Sequence, residues 1–306
     1  MASMITMFLQ SAYSMIDGLF VSNLIGDTAL SAVNVAWPII AVVTAIGTGV
    51  GCGGAVMMST KQGEGKNEES NIVRANVILA LLASSIVVTI FFLILLTPLL
   101  KLMGAEGELL RLSQIYGRVM LTGGVLQILS CGLTPLLRND NRAVSAMMIM
   151  VGGLFANLGL DFVFMYVFHM GIGGAAGASL CAQLFTTVCC LMILCTKKTD
   201  PIRLSQFMIR KEYWKKIFKT AVSPFGISLT PSLLILYHNV ACLKFGGDLA
   251  VNAYALISST VGSYRVLLIG VAEGIQPLAS YAYGAHDFHA IRKIRNKAII
   301  TAMSVS

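Results

Sequence analysis

Long apolar runs alternate along the chain with short polar connections. Each run reaches the roughly 20 residues at which a helix crosses about 30 Å of hydrocarbon. The pattern predicts spans near 4–24, 30–59, 75–100, 113–137, 143–168, 172–196, 221–245 and 250–283, with a ninth beginning near 298. The runs are continuous rather than alternating strands of ~10 residues, which argues against a transmembrane barrel. The expected fold class is therefore an all-α, multi-pass membrane protein. Composition agrees: 56% of residues are hydrophobic, 12% are charged, and the mean hydropathy is +0.79, more than a soluble domain can bury around one core.

Charge adds a direction. The connections at 60–74, 138–142, 197–220 and 284–297 hold 17 of the 22 Lys and Arg, whereas the intervening ones hold Lys101, Arg111 and Lys244. By the positive-inside rule the first group faces the cytoplasm, so the chain enters from the cytoplasmic side. The +8 net charge is thus a topology signal and not a nucleic-acid footprint. Segment 210–222, RKEYWKKIFKTAV, interleaves lysines with apolar and aromatic residues and reads as an amphipathic helix at the cytoplasmic interface or as a solvated linker helix. The seven cysteines lie in apolar runs without paired spacing, so neither a disulfide framework nor a zinc site is expected.

An internal repeat divides the chain. GDTALSA (26–32) and GDLAVNA (247–253) match at an offset of 221, and the same offset pairs Gly49-Val50 with Gly270-Val271, Gly53 with Gly274, Ser59 with Ser280 and Gly63 with Gly284. Spans one and two thus recur as spans seven and eight. Six spans separate the copies, so both enter the membrane in the same direction, as parallel repeats do. The expected organisation is an amino-terminal six-helix lobe (1–197) with a shortened first helix, a cytoplasmic linker (198–220), and a partial carboxyl-terminal lobe (221–306). A complete molecule is expected to hold twelve spans, with on the order of 130 residues beyond the end of this chain.

Three of the fourteen acidic residues fall well inside spans: Asp17, Asp161 and Glu273. A carboxylate at mid-membrane costs at least ~2.5–3.5 kcal/mol on insertion scales, which makes each a candidate for function. Tyr13 and Asp17 are four residues apart, as are Asn157 and Asp161, so each of these acids shares a helix face with a hydrogen-bonding neighbour. Such a site can trade a proton against a ligand or ligate sodium through oxygen, and the sequence leaves both ions open. A structural hydrogen bond is the alternative role, most of all for Glu273, which follows a glycine-rich stretch.

The runs SAYSMIDGLFVSNLIGDTALSAVNVAWPI, LLRNDNR, ANLGLDFVF, GIGGAAGASLCAQ and GVAEGIQPLASYAYGA occur in this order along nearly the whole chain. Together they resemble the multidrug and toxic compound extrusion (MATE) family, nearest its bacterial multidrug-efflux branch. The resemblance implies a two-lobe bundle of six plus six helices, here reaching eight helices and the start of a ninth. It also implies a central cavity open alternately to each side and efflux of cationic amphipathic compounds driven by protons or sodium. Carried over by position, Asp17, Asn157 and Asp161 form a cation-coupling site. Ser179, where the family commonly has threonine, and Tyr116 assist it, while Tyr13, Asn34, His238 and Glu273 are candidates for the cavity. Two departures qualify the transfer: His238 pairs with Asp17 across the repeat where some branches have an acid, and Glu273 stands where relatives often have glutamine.

The chain is accordingly expected to be a transporter rather than an enzyme, with no cofactor besides the coupling ion. Its expected partners are small organic cations and membrane lipid, with no nucleic acid, and it is expected to be monomeric in a bacterial inner membrane. A flippase of lipid-linked precursors in the same superfamily is the alternative. The three membrane acids against Arg118, Arg265 and His238 weigh towards cationic cargo. An intramembrane aspartyl protease is disfavoured because MID and GLD replace the YD and GxGD signatures.

Overall fold

The computed structural model describes residues 9, 25–195, 206, 207 and 209–305. Among these residues the protein is all-α, without strands. Helix α1 (Asp27–Gly63) starts at Gly26, whose φ of +113° favours glycine, and it carries Pro38 within its length. Lys61 and Lys66 bond Glu64 at 2.9 and 3.0 Å, and Lys61 also reaches Glu69 at 2.9 Å, closing the turn into α2 (Asn67–Leu102). Next come α3 (Gly107–Thr122) and α4 (Gly124–Asn139), then α5 (Ala143–Asp161), which continues as a π-helical turn over Phe162–Val167. Helix α6 (Gly171–Cys195) follows.

Helices α1, α2, α6 and α5 with its π turn are each long and apolar enough to cross a membrane. Expected span four, 113–137, is not one rod: α3 and α4 meet at 57° across Gly123. The bend frees carbonyls that hydrocarbon cannot solvate, and the Gln127 amide donates to Met120 O at 3.0 Å. A side chain on Gly123 would collide with Leu180 of α6.

The next helical run, α7 (Lys211–Gly284), would be about 110 Å long if straight. It doubles back instead. Its early residue Ala221 lies against Gly53 of α1, and its late residue Gln276 bonds the carbonyl of neighbouring Cys52 at 3.5 Å. The rings of His238 and Tyr254, which a straight helix would hold about 24 Å apart, stack at 5.0 Å. The sequence places the Gly246-Gly247 pair between spans seven and eight, in the stretch that separates these two rings. The expected linker boundary at 220/221 falls inside α7, whose first turns expose Lys211, Lys215, Lys216 and Lys219 while burying Ile217. The last helix, α8 (Phe288–Val305), begins ten residues before the expected start near 298, because its first turns are basic and amphipathic and carry little hydropathy signal.

Helix α1 is the axis of the packing. At Gly47 and Gly51 its backbone lies directly on the backbone of Ile128 and Gly132 in α4, and Gly54 seats the side chain of Val77 from α2. Lipid tails are as apolar as leucine, so close contact between small residues, more than water exclusion, holds such helices together.

Candidate ion and cargo site

Helix α5 reaches its neighbour through small residues. Gly152 and Gly153 leave room for Phe185 and Thr186 of α6, and this close approach buries one face of α5. Asn157 and Asp161 lie on that buried face at 5% and 0% exposure. The Asn157 amide Nδ2 donates to Asp161 Oδ2 at 3.0 Å, the one-turn pairing that their spacing predicts. Asp161 is also the last α-helical residue before the π turn, a winding that recurs at functional sites. Beyond it, the Phe162 and Tyr166 rings stack at 5.0 Å on the exposed side.

The other candidates are spread out. Tyr116 is buried at 5% in α3, and Ser179 is half-buried in α6. Asn34 is exposed on α1, in a stripe with Ser31 and Trp37 at three-residue spacing; Trp37, at 52% exposure, was not among the sequence candidates. His238 is held on α7 by a 2.8 Å contact between its Nδ1 and Leu234 O and by its stack on Tyr254. Tyr13 and Asp17 lie outside the described residues.

Glu273 stands apart from the Asn157–Asp161 pair, in an ion pair with Arg138 of α4 at 2.7 Å. Arg138 opens a second polar cluster at the end of the bundle that carries the basic connections. There Arg74 meets Asp140 at 3.4 Å with both side chains 1% exposed, and its Nη2 donates to Asn71 at 2.7 Å. The Ser59 hydroxyl donates to Asn139 Oδ1 at 2.8 Å, and the Gln62 amide donates to Asp140 at 3.3 Å. Arg74 and Arg138, counted from the sequence among basic loop residues, are thus buried helix residues. The signal that distinguishes them is the Asn139-Asp140 dipeptide between Arg138 and Arg142, an acid inside a basic connection.

A family model named MatE matches residues 2–163 and 227–306, most of the chain. The chain belongs to the MatE family. Among curated MatE relatives, the multidrug export protein MepA of Staphylococcus saprophyticus is 24% identical over 282 residues, covering 92% of this chain and 62% of that protein. MepA of Staphylococcus aureus strain N315 is 25% identical over 309 residues, covering 99% and 66%. The chain therefore spans just under two thirds of the length of these MatE relatives. Among solved structures, a MATE transporter in its bent conformation aligns with a TM-score of 0.92 at 26% identity, covering 100% of this chain and 68% of that one. An outward-facing multidrug resistance MATE transporter of the MOP superfamily aligns at 0.93 and 27%, covering 99% and 68%. The expected fold class and family are both borne out.

Proposed function

We propose that the intact protein is a secondary transporter that exports cationic amphipathic compounds in exchange for protons or sodium, with Asp17, Asn157 and Asp161 as the ion site. The observation that carries this reading is the pair formed by Asn157 and fully buried Asp161 inside a membrane-spanning helix. A carboxylate at that depth is costly to maintain, and its natural use is to take up a cation in one state and release it in another. The relatives named as multidrug export proteins support the cargo class. So does the exposed Ser31–Asn34–Trp37 stripe, which offers hydrogen-bonding groups and an aromatic face to an organic cation. Tyr13, Tyr116, Ser179 and His238 are the further candidates for the cavity wall. The basic connections lie on the cytoplasmic side in this reading, with the amino terminus there as well.

The test is efflux of a fluorescent organic cation from vesicles holding the intact protein, under a proton gradient alone and then a sodium gradient alone. Efflux driven by one gradient identifies the coupling ion, and efflux under neither overturns the reading in favour of lipid flipping. Asp161→Asn and Asp17→Asn are each expected to abolish driven efflux while membrane insertion is retained; undiminished efflux in either variant removes that residue from the site.

A further inference from the structure

The repeat and the basic end of the bundle meet in one place. Gly63 and Gly284 are mates at the 221-residue offset, and there is no room for a side chain on either. A Cβ on Gly63 would overlap Tyr281 O, and a Cβ on Gly284 would overlap Thr60 O. Thr60 and Tyr281 are mates at the same offset, so the two contacts are one contact applied twice about a local two-fold axis between α1 and the returning limb of α7. In the same layer the Thr60 hydroxyl lies 3.5 Å from Ser280 O, and further along the two helices the Gln276 amide bonds Cys52 O at 3.5 Å. Deeper still is the Arg138–Glu273 ion pair, with side chains 6% and 20% exposed. Glu273 is itself the mate of Cys52.

We infer that this layer is the gate closing the cytoplasmic end between the lobes, and that the Arg138–Glu273 ion pair is its latch. The inference rests on the transporter reading above and on the orientation assigned there. The division of labour follows from the chemistry. Backbone-on-backbone glycine contacts seal the end without interlocking side chains, so the surfaces can part without repacking. A close ion pair shielded from water holds strongly while the surfaces touch. Once water enters, both charges are hydrated and the attraction falls several-fold. The partial exposure of Glu273 gives water its point of entry. Such a pair therefore acts as a two-state element, which a rocking motion of the lobes requires.

Cys52, 8% exposed and bonded through its carbonyl to Gln276, one turn from Glu273, reports on its closure. The experiment uses the intact protein with Cys52 as its sole cysteine, in inside-out vesicles without cargo or gradient, and reads the rate of modification by a membrane-impermeant maleimide. Glu273→Gln is expected to raise that rate on the order of tenfold, the effect of about 1.4 kcal/mol on the open–closed equilibrium. The exchanged pair Arg138→Glu with Glu273→Arg is expected to return it to near the parental rate. An unchanged rate in Glu273→Gln overturns the inference, as does a folded exchanged variant that labels as fast as the single variant. If the exchanged protein does not fold, Gly284→Ala decides: accelerated labelling supports the gate and an unchanged rate overturns it. Because labelling needs neither cargo nor coupling ion, failure of the export reading would leave this result standing.

Discussion

The bundle from α1 to α6 and the hairpin of α7 are built from the same kinds of residue but packed in different ways. In the bundle, α1 is enclosed by α2 and α4, with Val43, Ala55, Met58, Leu81, Ile128 and Leu133 wholly or almost wholly inside. The hairpin buries Ile217, Ala221, Val271 and Ala282 near its two ends, while Leu233, Leu234 and Tyr237 between them are exposed. Its contacts with α1 combine glycine backbone, the apolar residues Ile217, Ala221 and Phe225, and a few polar groups. A region held by interdigitated side chains resists change. Both regions meet α1 partly through glycine backbone, but the bundle adds a wholly buried side-chain core, so stability is expected to belong to the bundle, and in the transporter reading motion belongs to the seam between bundle and hairpin.

This comparison can be broken at several points. The largest loss of stability is expected for Gly51→Leu, which drives a side chain into the Gly132 backbone; size-exclusion chromatography of the detergent-solubilised protein should yield no monodisperse peak. Asp140→Asn removes the carboxylate that meets the buried Arg74 guanidinium and should cost on the order of 3 kcal/mol, read as a large fall in thermal midpoint. Asp161→Asn should lower the midpoint by no more than about 1 kcal/mol equivalent while abolishing driven efflux; a large fall in stability would make the site structural. Glu64→Gln is expected to do nothing measurable. Hydrogen bonds from Lys61 and Lys66 hold the Glu64 carboxylate below its usual range, so any stability they add is present above the ordinary carboxylate pKa and lost as pH falls through the depressed value. Glu64 is so open to solvent that a pH titration of the thermal midpoint should not distinguish the variant from the parent.

Much of this architecture is written in local patterns. Span lengths follow from apolar runs, the Asn157–Asp161 hydrogen bond from four-residue spacing, and the α7 reversal from the Gly-Gly-Asp stretch between two such runs. The rest depends on partners far apart in the chain. LTGGVL (121–126) sits in one uninterrupted apolar stretch, and hydropathy does not show that Leu180 takes the space beside Gly123. Arg74 and Arg138 look like loop charges because the positive-inside count registers position and not burial; their partners, Asp140 and Glu273, lie 66 and 135 residues away. Glu273 is legible as an unusual acid, but its partner is not, since the cation nearest to it in the sequence is Arg265 and the one it meets, Arg138, lies 135 residues away.

The contact between Gly63 and Gly284 also bears on ancestry. A surface that meets its own repeat mate is self-complementary, as the interface of a two-fold homodimer must be. Two separate copies of a six-span unit could make the same contact through one glycine, each copy supplying both halves. Fusing the copies into one chain would preserve the contact and free the two halves to diverge, so that the position occupied by Cys52 in one half could become Glu273 in the other. The latch, unlike the glycine seal, breaks the symmetry, as expected of a feature acquired after duplication.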